Sequence, residues 1–451
     1  MDQHHLSMRG ACGFVNRDVW GPREKLMGNP WTPTNPSGTV ILRLAENSLM
    51  HEEVVEFIEA NTTVKPTEQL TYSTGPRGSR HLRNAAAAFL NEEFHPNHTI
   101  SAENLVVTPG LASAIDALAW AVCNEGDGIL IPQPFYNGFG VDILNRSNAR
   151  VVPVPYTGVE GYSSLEDLFC PNVTSRALEA TFRDAKQNGI NPRALLISHP
   201  HNPLGRCYPR QTLQAFATFC GKHNLHFISD EIYAQSVFNN AALPNAVPFL
   251  STLTLDIPRH MNPAMAHVLY GASKDFCANG LRLGLVCTQN EGVLGAMSSI
   301  SIFSWSPHLL QDVWANMLAD KDWRTGFMHR KKQLMEEHYR LTTAFFQQNR
   351  IPYCEMNAGL FIWIDLRHLI RPTPKGLHSA SPANKALILV DCKEREVKIA
   401  ETCAKNGVLI APGHVYVPEE FGWFRVTFTV GKEALKEGLE RLHMSIREIE
   451  A

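Results

Sequence analysis

The sequence predicts an α/β protein. A three-layer α/β/α large domain, built on a mostly parallel seven-stranded sheet, is expected to carry an N-terminal arm and a smaller α+β C-terminal domain. Three observations lead there. Seven short, apolar, β-rich runs follow one another between residues 105 and 287, and most of the intervals between them can hold a crossover helix. A stretch from Leu309 to Gln348 repeats apolar and charged residues at helical spacing and is long enough to bridge two domains. The first fifty residues are rich in Pro and Gly, as in Gly28-Asn29-Pro30-Trp31-Thr32-Pro33, which favours an extended segment that wraps something else.

Taken in order, residues 1–60 form the arm, packing with the small domain and ending its extended piece near Val40-Ile41-Leu42. The large domain occupies 61–315. Its strands are expected at Leu105 to Thr108, Ile129 to Pro132, Val151 to Pro155, Ala194 to Ser198, His226 to Ser229, His267 to Gly271 and Leu283 to Cys287. Helices are expected at His81 to Glu93, Leu111 to Cys123 and Gln211 to His223. The small domain takes 316–451. There Gly359 to Leu366 reads as a strand, Arg371 to Asn384 as a Pro/Ser-rich polar loop and Lys393 to Lys405 as a helix. Val408 to Ala411 and Trp423 to Val430 read as strands, and Lys432 to Glu448 as a closing helix.

Composition narrows the function. With 451 residues, 44% hydrophobic and 19% charged, the chain can bury a large core, which excludes disorder and coiled coil as overall descriptions. Lys and Arg number 41 against 44 Asp and Glu, so the net charge of -3 offers no global attraction to nucleic acid or anionic lipid. No run approaches the roughly 18 apolar residues of a membrane span, and no basic segment followed by an apolar one opens the chain. A soluble cytoplasmic protein without nucleic-acid or membrane partners is expected. The ten cysteines are scattered, with no CxxC pair, and read as reduced core thiols. His199 and His201 lack a third ligand at useful spacing, so no metal is expected.

Ligands of parallel sheets collect outside the carboxyl ends of strands, so polar residues just after each apolar run are the candidates. Singly, each has a plain reading: Asp230 as a helix cap, Asn202-Pro203 as a turn, Lys274 and Arg282 as solvated charges. Together they say more. An amine able to form a Schiff base, an acid to pair with a protonated ring nitrogen, an Asn and a Tyr for a phenolate and an Arg for a phosphate are what a pyridoxal phosphate site needs. Asn202, Asp230, Tyr233, Lys274 and Arg282 supply each.

In these residues the chain resembles the fold-type-I pyridoxal-phosphate enzymes of the aspartate aminotransferase superfamily. The shared segments are Asn202-Pro203-Leu204-Gly205, Ser229-Asp230-Glu231-Ile232-Tyr233, and Ser273-Lys274 with Arg282, in the family's order. Leu44-Ala45-Glu46-Asn47, Ile131-Pro132-Gln133-Pro134-Phe135-Tyr136-Asn137-Gly138-Phe139, Asn357-Ala358-Gly359-Leu360-Phe361 and Gly422-Trp423-Phe424-Arg425-Val426 point within it to 1-aminocyclopropane-1-carboxylate synthase-like proteins.

The resemblance implies roles. Lys274 joins pyridoxal 5'-phosphate and, once released by the substrate amine, removes the Cα proton. Asp230 keeps the ring nitrogen protonated. Asn202 and Tyr233 bond the phenolic oxygen, and Tyr136 stacks on the ring, with Phe135 as the competing stacker. Leu111 and Ala112, at a helix start, bind the phosphate through backbone N–H groups, joined by Ser273 and Arg282. Tyr72 reaches the phosphate of a neighbouring subunit, which implies a homodimer with shared active sites, or else is a turn tyrosine on the surface. Arg425 grips the α-carboxylate of an amino-acid substrate. Glu46, with Ala45 beside it, faces a cationic substrate group or moves a proton, or else is a surface acid on the arm. Two positions depart from the family: Gly271 stands where a phosphate-binding Ser is usual, and Ala112 where relatives often have Thr.

The fate of the substrate is the open question. The Ala45-Glu46-Asn47 and Trp423-Phe424-Arg425 segments favour α,γ-elimination with cyclisation, or γ-substitution, of S-adenosylmethionine or a similar amino acid with a γ-leaving group. The alternatives are an aminotransferase of an aromatic or hydrophobic amino acid, and a non-catalytic cofactor-binding paralogue, against which the retained Lys274, Asp230 and Arg282 argue.

Overall fold

The computed structural model describes residues 5–8, 10, 11, 24, 27–370 and 382–451. Seven strands form the central sheet: β2 (Leu105–Thr108), β3 (Gly128–Pro132), β4 (Arg150–Val154), β5 (Pro192–Ser198), β6 (His226–Asp230), β7 (Ala266–Gly271) and β8 (Gly284–Thr288). Their spatial order is β2-β8-β7-β6-β5-β3-β4. All neighbours run parallel except β8, which is antiparallel to both β2 and β7. This is the mostly parallel seven-stranded sheet that the sequence predicts.

Alternate strand residues enter different cores, as a two-sided sheet requires. Ile129, Ile131 and Leu196 join one apolar cluster, whereas Leu130, Leu195 and Ile197 join another. Helices cover both faces, among them Arg80–Glu93, Leu111–Val122, Phe139–Ser147, Pro171–Gln187, Arg210–His223 and Glu291–Ser301.

The topology brings one edge of the sheet into use. Chain order runs outward from β3 to β4 and then returns through β5, β6, β7 and β8, so direction reverses beside β3 and β5. Crevices at such a reversal collect ligands. The residues after β2, β3, β5, β6 and β7 all emerge there. Because β8 runs backwards, Arg282, two residues before it, arrives at the same edge.

Beyond the sheet, the predicted single helix from Leu309 to Gln348 is two helices, His308–Ala319 and Lys321–Gln348. Asp320 divides them: it adopts extended backbone, and its carboxylate accepts from the Trp323 N–H at 2.9 Å, capping the second helix. A second, antiparallel sheet orders β11 (Ala411–Pro412), β12 (Trp423–Thr427) and β9 (Phe361–Asp365). The run expected as one strand at Val408 to Ala411 is split, because β10 (Val408–Leu409) pairs instead in parallel with β1 (Val40–Ile41) of the arm. The helix expected at Lys393 begins earlier, spanning Pro382–Lys405. The loop expected over Arg371 to Asn384 therefore ends sooner, and its 371–381 part, like Cys12, lies outside the described residues. Lys432–Glu450 closes the chain, and no helix among the described residues is long and apolar enough to cross a membrane.

Candidate active site

Lys274 stands in the single turn Ala272–Asp275 that follows β7, with its ammonium donating to the carbonyl of Ala45. The arm reaches this point by a chain of backbone bonds. After β1, Leu42 N–H donates to Leu409 and the Leu42 carbonyl accepts from Thr427, while Ser48 N–H donates to Thr429. The Thr429 hydroxyl donates to the Glu46 carbonyl at 2.6 Å. Ala45 and Glu46 are thus delivered over the end of β7. Glu46 remains exposed, and its Oε1 accepts from Asn279 Nδ2 at 2.9 Å.

Burial lowers the Lys274 amine to about 8. Arg425 and then Arg282 act in the same direction, while Glu46 and Asp230 pull it back up. Burial of an ammonium disfavours its charged form, which yields an amine able to act as a base near neutrality.

Asp230 ends β6, 6% exposed, and burial pushes its carboxyl up to about 7. Its Oδ1 accepts one bond, from Ile232 N–H at 3.1 Å. No ion-pair partner lies within reach of it among the described residues. Tyr233 is buried three residues on, its phenol pushed well up by burial, with its ring edge-on to Phe361 at 5.5 Å.

Arg425, on β12 and 3% exposed, faces the same space from the small sheet. Nη1 donates to Asn202 Oδ1 at 3.2 Å and Nη2 to the Arg43 carbonyl at 3.0 Å, while its buried Nε has no hydrogen-bond partner among the described residues. Its guanidinium lies 4.5 Å from the Phe361 ring and 4.9 Å from that of Tyr416. Tyr136, after β3, is raised to about 12 by burial first and then by Asp142, and feels Arg425, Tyr416 and Asp230. Phe135, the other ring of that pair, is buried in the core cluster.

At the other end of the site the Leu111–Val122 helix begins after Gly110. Its first-turn amides have no carbonyl to bond within the helix. Gly110 has φ 81°, and a Cβ there would lie 2.3 Å from an Arg282 guanidinium nitrogen, so only glycine lets that cation approach the helix start. Arg282 Nη2 and the Ser113 hydroxyl both donate to the Pro109 carbonyl, each at 3.3 Å. Leu111 is buried, Ala112 exposed and Ser273 buried. The Gly271 departure has a structural cause: a Cβ there would meet Leu111 Cδ1 and the Leu283 carbonyl at 2.8 Å each, so apolar packing occupies the room a serine would need.

Ala45, Glu46, Asn202, Asp230, Tyr233, Tyr136, Lys274, Arg282 and Arg425 are therefore linked by bonds or by charge. Tyr72 is apart, 82% exposed and edge-on to Trp305 at 5.9 Å. Sequence reasoning missed Asn279, Ser113, Phe361 and Tyr416. It also missed Asp142, which burial and the charges of Asp116 and Asp230 push up to about 7. Of these, Phe361 closes the Asn357 to Phe361 segment already singled out, Ser113 lies in the helix expected from Leu111, and Asn279 lies between Lys274 and Arg282. His199 and His201 are buried; His199 bonds the Leu250 carbonyl and His201 accepts from Leu204 N–H.

Pyridoxal phosphate fits these residues. The helix start with Arg282 suits a phosphate, the buried Asp230, with no ion-pair contact among the described residues, suits a protonated ring nitrogen, and Lys274 is an amine of lowered basicity that feels both Arg282 and Asp230.

Residues 39–442 match the profile of Aminotransferase class I and II. The chain is 31% identical to "Probable aminotransferase aclI" of Aspergillus oryzae over 443 residues, covering 97% of each protein. It is 30% identical to 1-aminocyclopropane-1-carboxylate synthase 1 of Oryza sativa subsp. indica, covering 97% of this chain and 87% of that one. Among solved structures, an aspartate aminotransferase variant of Thermus thermophilus complexed with tryptophan shares the fold with a TM-score of 0.70 at 21% identity, covering 98% and 99% of the two chains. With this profile spanning most of its length, the chain belongs to the class I and II aminotransferase family of pyridoxal-phosphate-dependent, fold-type-I enzymes, close to 1-aminocyclopropane-1-carboxylate synthase-like proteins.

Proposed function

We propose that this enzyme removes the Cα proton of an α-amino acid that bears a leaving group at Cγ, with S-adenosylmethionine or a similar compound as substrate, leading to elimination with ring closure or to γ-substitution. The observation that carries this reading is Glu46. Its carboxylate is tethered by Asn279 and is close enough to act on Lys274, so a cationic side chain arriving at the same mouth would meet a fixed anion. Bound pyridoxal phosphate supplies the electron sink for the charge left at Cα.

The chain's own groups do the rest. Arg425 would hold the substrate carboxylate, using its unpartnered Nε and the nitrogen now shared with Asn202. Lys274, at about 8, is partly neutral in mildly alkaline solution and takes the Cα proton on Nζ. Asp230 would keep the proton on the ring nitrogen, Tyr233 and Asn202 would bond the phenolic oxygen, and Tyr136 would stack on the ring. Leu111, Ala112, Ser273 and Arg282 would hold the phosphate, with Ser113 supplying a hydroxyl in place of the one missing at Gly271.

The active unit in this reading is a homodimer. Leu70, Tyr72, Ile302 and Phe303 are all exposed apolar groups, and a second copy covering them would carry Tyr72 to its neighbour's phosphate. Light scattering of the purified protein tests it; a monomer that turns over at full rate would remove Tyr72 from the site.

A second reading is transamination of an aromatic or hydrophobic amino acid, favoured by the Phe361 and Tyr416 rings against Arg425. Incubation with S-adenosylmethionine and with a panel of amino acids, followed by mass spectrometry, separates the two. Methylthioadenosine release supports the first; pyridoxamine phosphate formed with aromatic amino acids, and no methylthioadenosine, overturns it in favour of the second.

A further inference from the structure

The residue after Lys274 is bonded on every side. Asp275 Oδ2 accepts from Gln235 N–H at 2.8 Å and from the Tyr270 hydroxyl at 3.1 Å, and Oδ1 accepts from the Ser236 hydroxyl at 2.6 Å. The ammonium of Lys331 stands 3.5 Å from Oδ1 and donates to the Asp275 backbone carbonyl at 2.8 Å; both side chains are 0% exposed. Lysine is almost never fully buried unless paired, so this contact pins Lys331 to one place.

Three segments meet at this pair. Asp275 belongs to the turn that carries Lys274. Gln235 and Ser236 end the stretch that carries Asp230 and Tyr233, and Gly359 N–H donates to the Ser236 carbonyl at 2.9 Å just before β9. Lys331 lies in the Lys321–Gln348 helix, whose Tyr339 packs against Phe238 and Phe428 further along. None of these contacts is local in sequence.

We propose that the Asp275–Lys331 ion pair is the positioning device for Lys274: it locks the turn bearing the active amine, the segment bearing Tyr233 and the long helix into one arrangement, and it balances the buried charge on the residue next to Lys274. Lys331 is thereby a positioning residue that acts through Asp275. This rests on Lys274 being the residue that joins the cofactor.

The charged and titratable groups around the assembly are Arg425, Arg282, Glu46 and Asp230 on the Lys274 side. Tyr270, Cys277 and Lys332 lie on the pair's side, with Glu93, Arg324 and Glu53 beyond them. All are left intact by substitutions at 275 and 331, so a change in the amine's titration reports the pair itself.

The test uses cofactor-loaded enzyme and follows the pH midpoint of the cofactor–lysine absorbance in wild type, Lys331→Met, Asp275→Asn and the double variant. Lys331→Met leaves an unbalanced carboxylate and raises the midpoint by about one unit, whereas Asp275→Asn leaves an unbalanced ammonium and lowers it by about as much. The double variant restores neutrality, with a midpoint within about 0.3 units of wild type, but loses the lock, so kcat falls about tenfold at unchanged KM. Midpoints that move in the same direction, or that do not move in folded single variants, overturn the proposal, as does a double variant with wild-type kcat. If the single variants do not fold, the double variant, a neutral replacement of a buried pair, decides alone by its kcat. Borohydride reduction and peptide mapping of wild type run alongside. An unlabelled Lys274 there refutes the cofactor assignment itself, a different failure from an unmoved midpoint.

Discussion

Two adjacent acids, the last residue of β6 and the one after it, meet opposite fates. Glu231 is fully buried and its carboxylate accepts from Ser229 at 3.0 Å, Ser251 at 2.6 Å and the Thr252 N–H at 2.8 Å. Asp230, one residue earlier, accepts a single backbone bond. The same contrast separates Lys274, facing the pocket, from Asp275, saturated behind it. Alternation along the chain sends one member of each couple to the ligand edge and the other into the protein. A buried polar group is costly unless it is hydrogen-bonded. Saturated groups therefore hold the fold, and the unsaturated ones mark where a ligand completes the bonding.

The sharpest way to break this contrast is at its two pocket members. Lys274→Ala should abolish the cofactor–lysine absorbance and lower kcat by roughly 10³-fold or more while the far-UV spectrum stays native. Retained turnover in that variant would refute the division. Asp230→Asn should cost on the order of 10²–10³-fold in kcat with the cofactor still bound, since it removes an electrostatic contact at the ring rather than a structural one. Steady-state rates on protein of measured cofactor content check this.

Glu231→Gln should behave in the opposite way. It leaves donors from Ser229, Ser251 and Thr252 poorly matched and is expected to destabilise the fold by about 1–3 kcal/mol, read in urea denaturation. Turnover per folded molecule should stay within about threefold of wild type. A large loss of kcat at unchanged stability would erase the distinction between the two acids.

The smallest effect is a pH slope. Both carboxyls are pushed up by burial to about 7, from ordinary values of 3.8 for Asp230 and 4.5 for Glu231. Between those limits the unfolded chain has released protons that the folded chain still holds. Stability of the cofactor-free protein should therefore be greatest at acidic pH within the window and fall as pH rises toward 7, by up to about 1.4 kcal/mol per unit for each group. If Asp230 pairs with the ring nitrogen as proposed, saturating cofactor would place a cation beside it and should flatten its share, leaving that of Glu231. Denaturation midpoints across the window, with and without cofactor, show whether one share responds and the other does not.

Much of this was legible in advance. Runs such as Leu105 to Thr108 are strands because β-rich apolar segments buried on both faces have few other options, and the break after each run exposes the polar residue that follows it. Asn202, Asp230 and Lys274 were visible for that reason, and Arg282 by its spacing from Lys274. The interruption of the long helix at Asp320 was not, because apolar periodicity continues on both sides while a capping carboxylate redirects the backbone. Nor was the splitting of Val408 to Ala411 between two sheets, which depends on the arm arriving as a partner. Phe361 and Tyr416 look like ordinary core aromatics until Arg425 is seen between them.

Local pattern and residue chemistry were thus enough to specify the sheet, the side of it that binds, and the amine, acid and guanidinium groups offered there, since each is a property of a short segment and its strand end. Long-range packing assigned the rest: the arm carbonyl over Lys274, the charges that make its amine less basic, the apolar filling at Gly271 and the Lys331 ammonium behind Asp275. These depend on burial and on partners distant in the chain, and the free energy of a charged group is set by its surroundings after folding rather than by its neighbours in sequence.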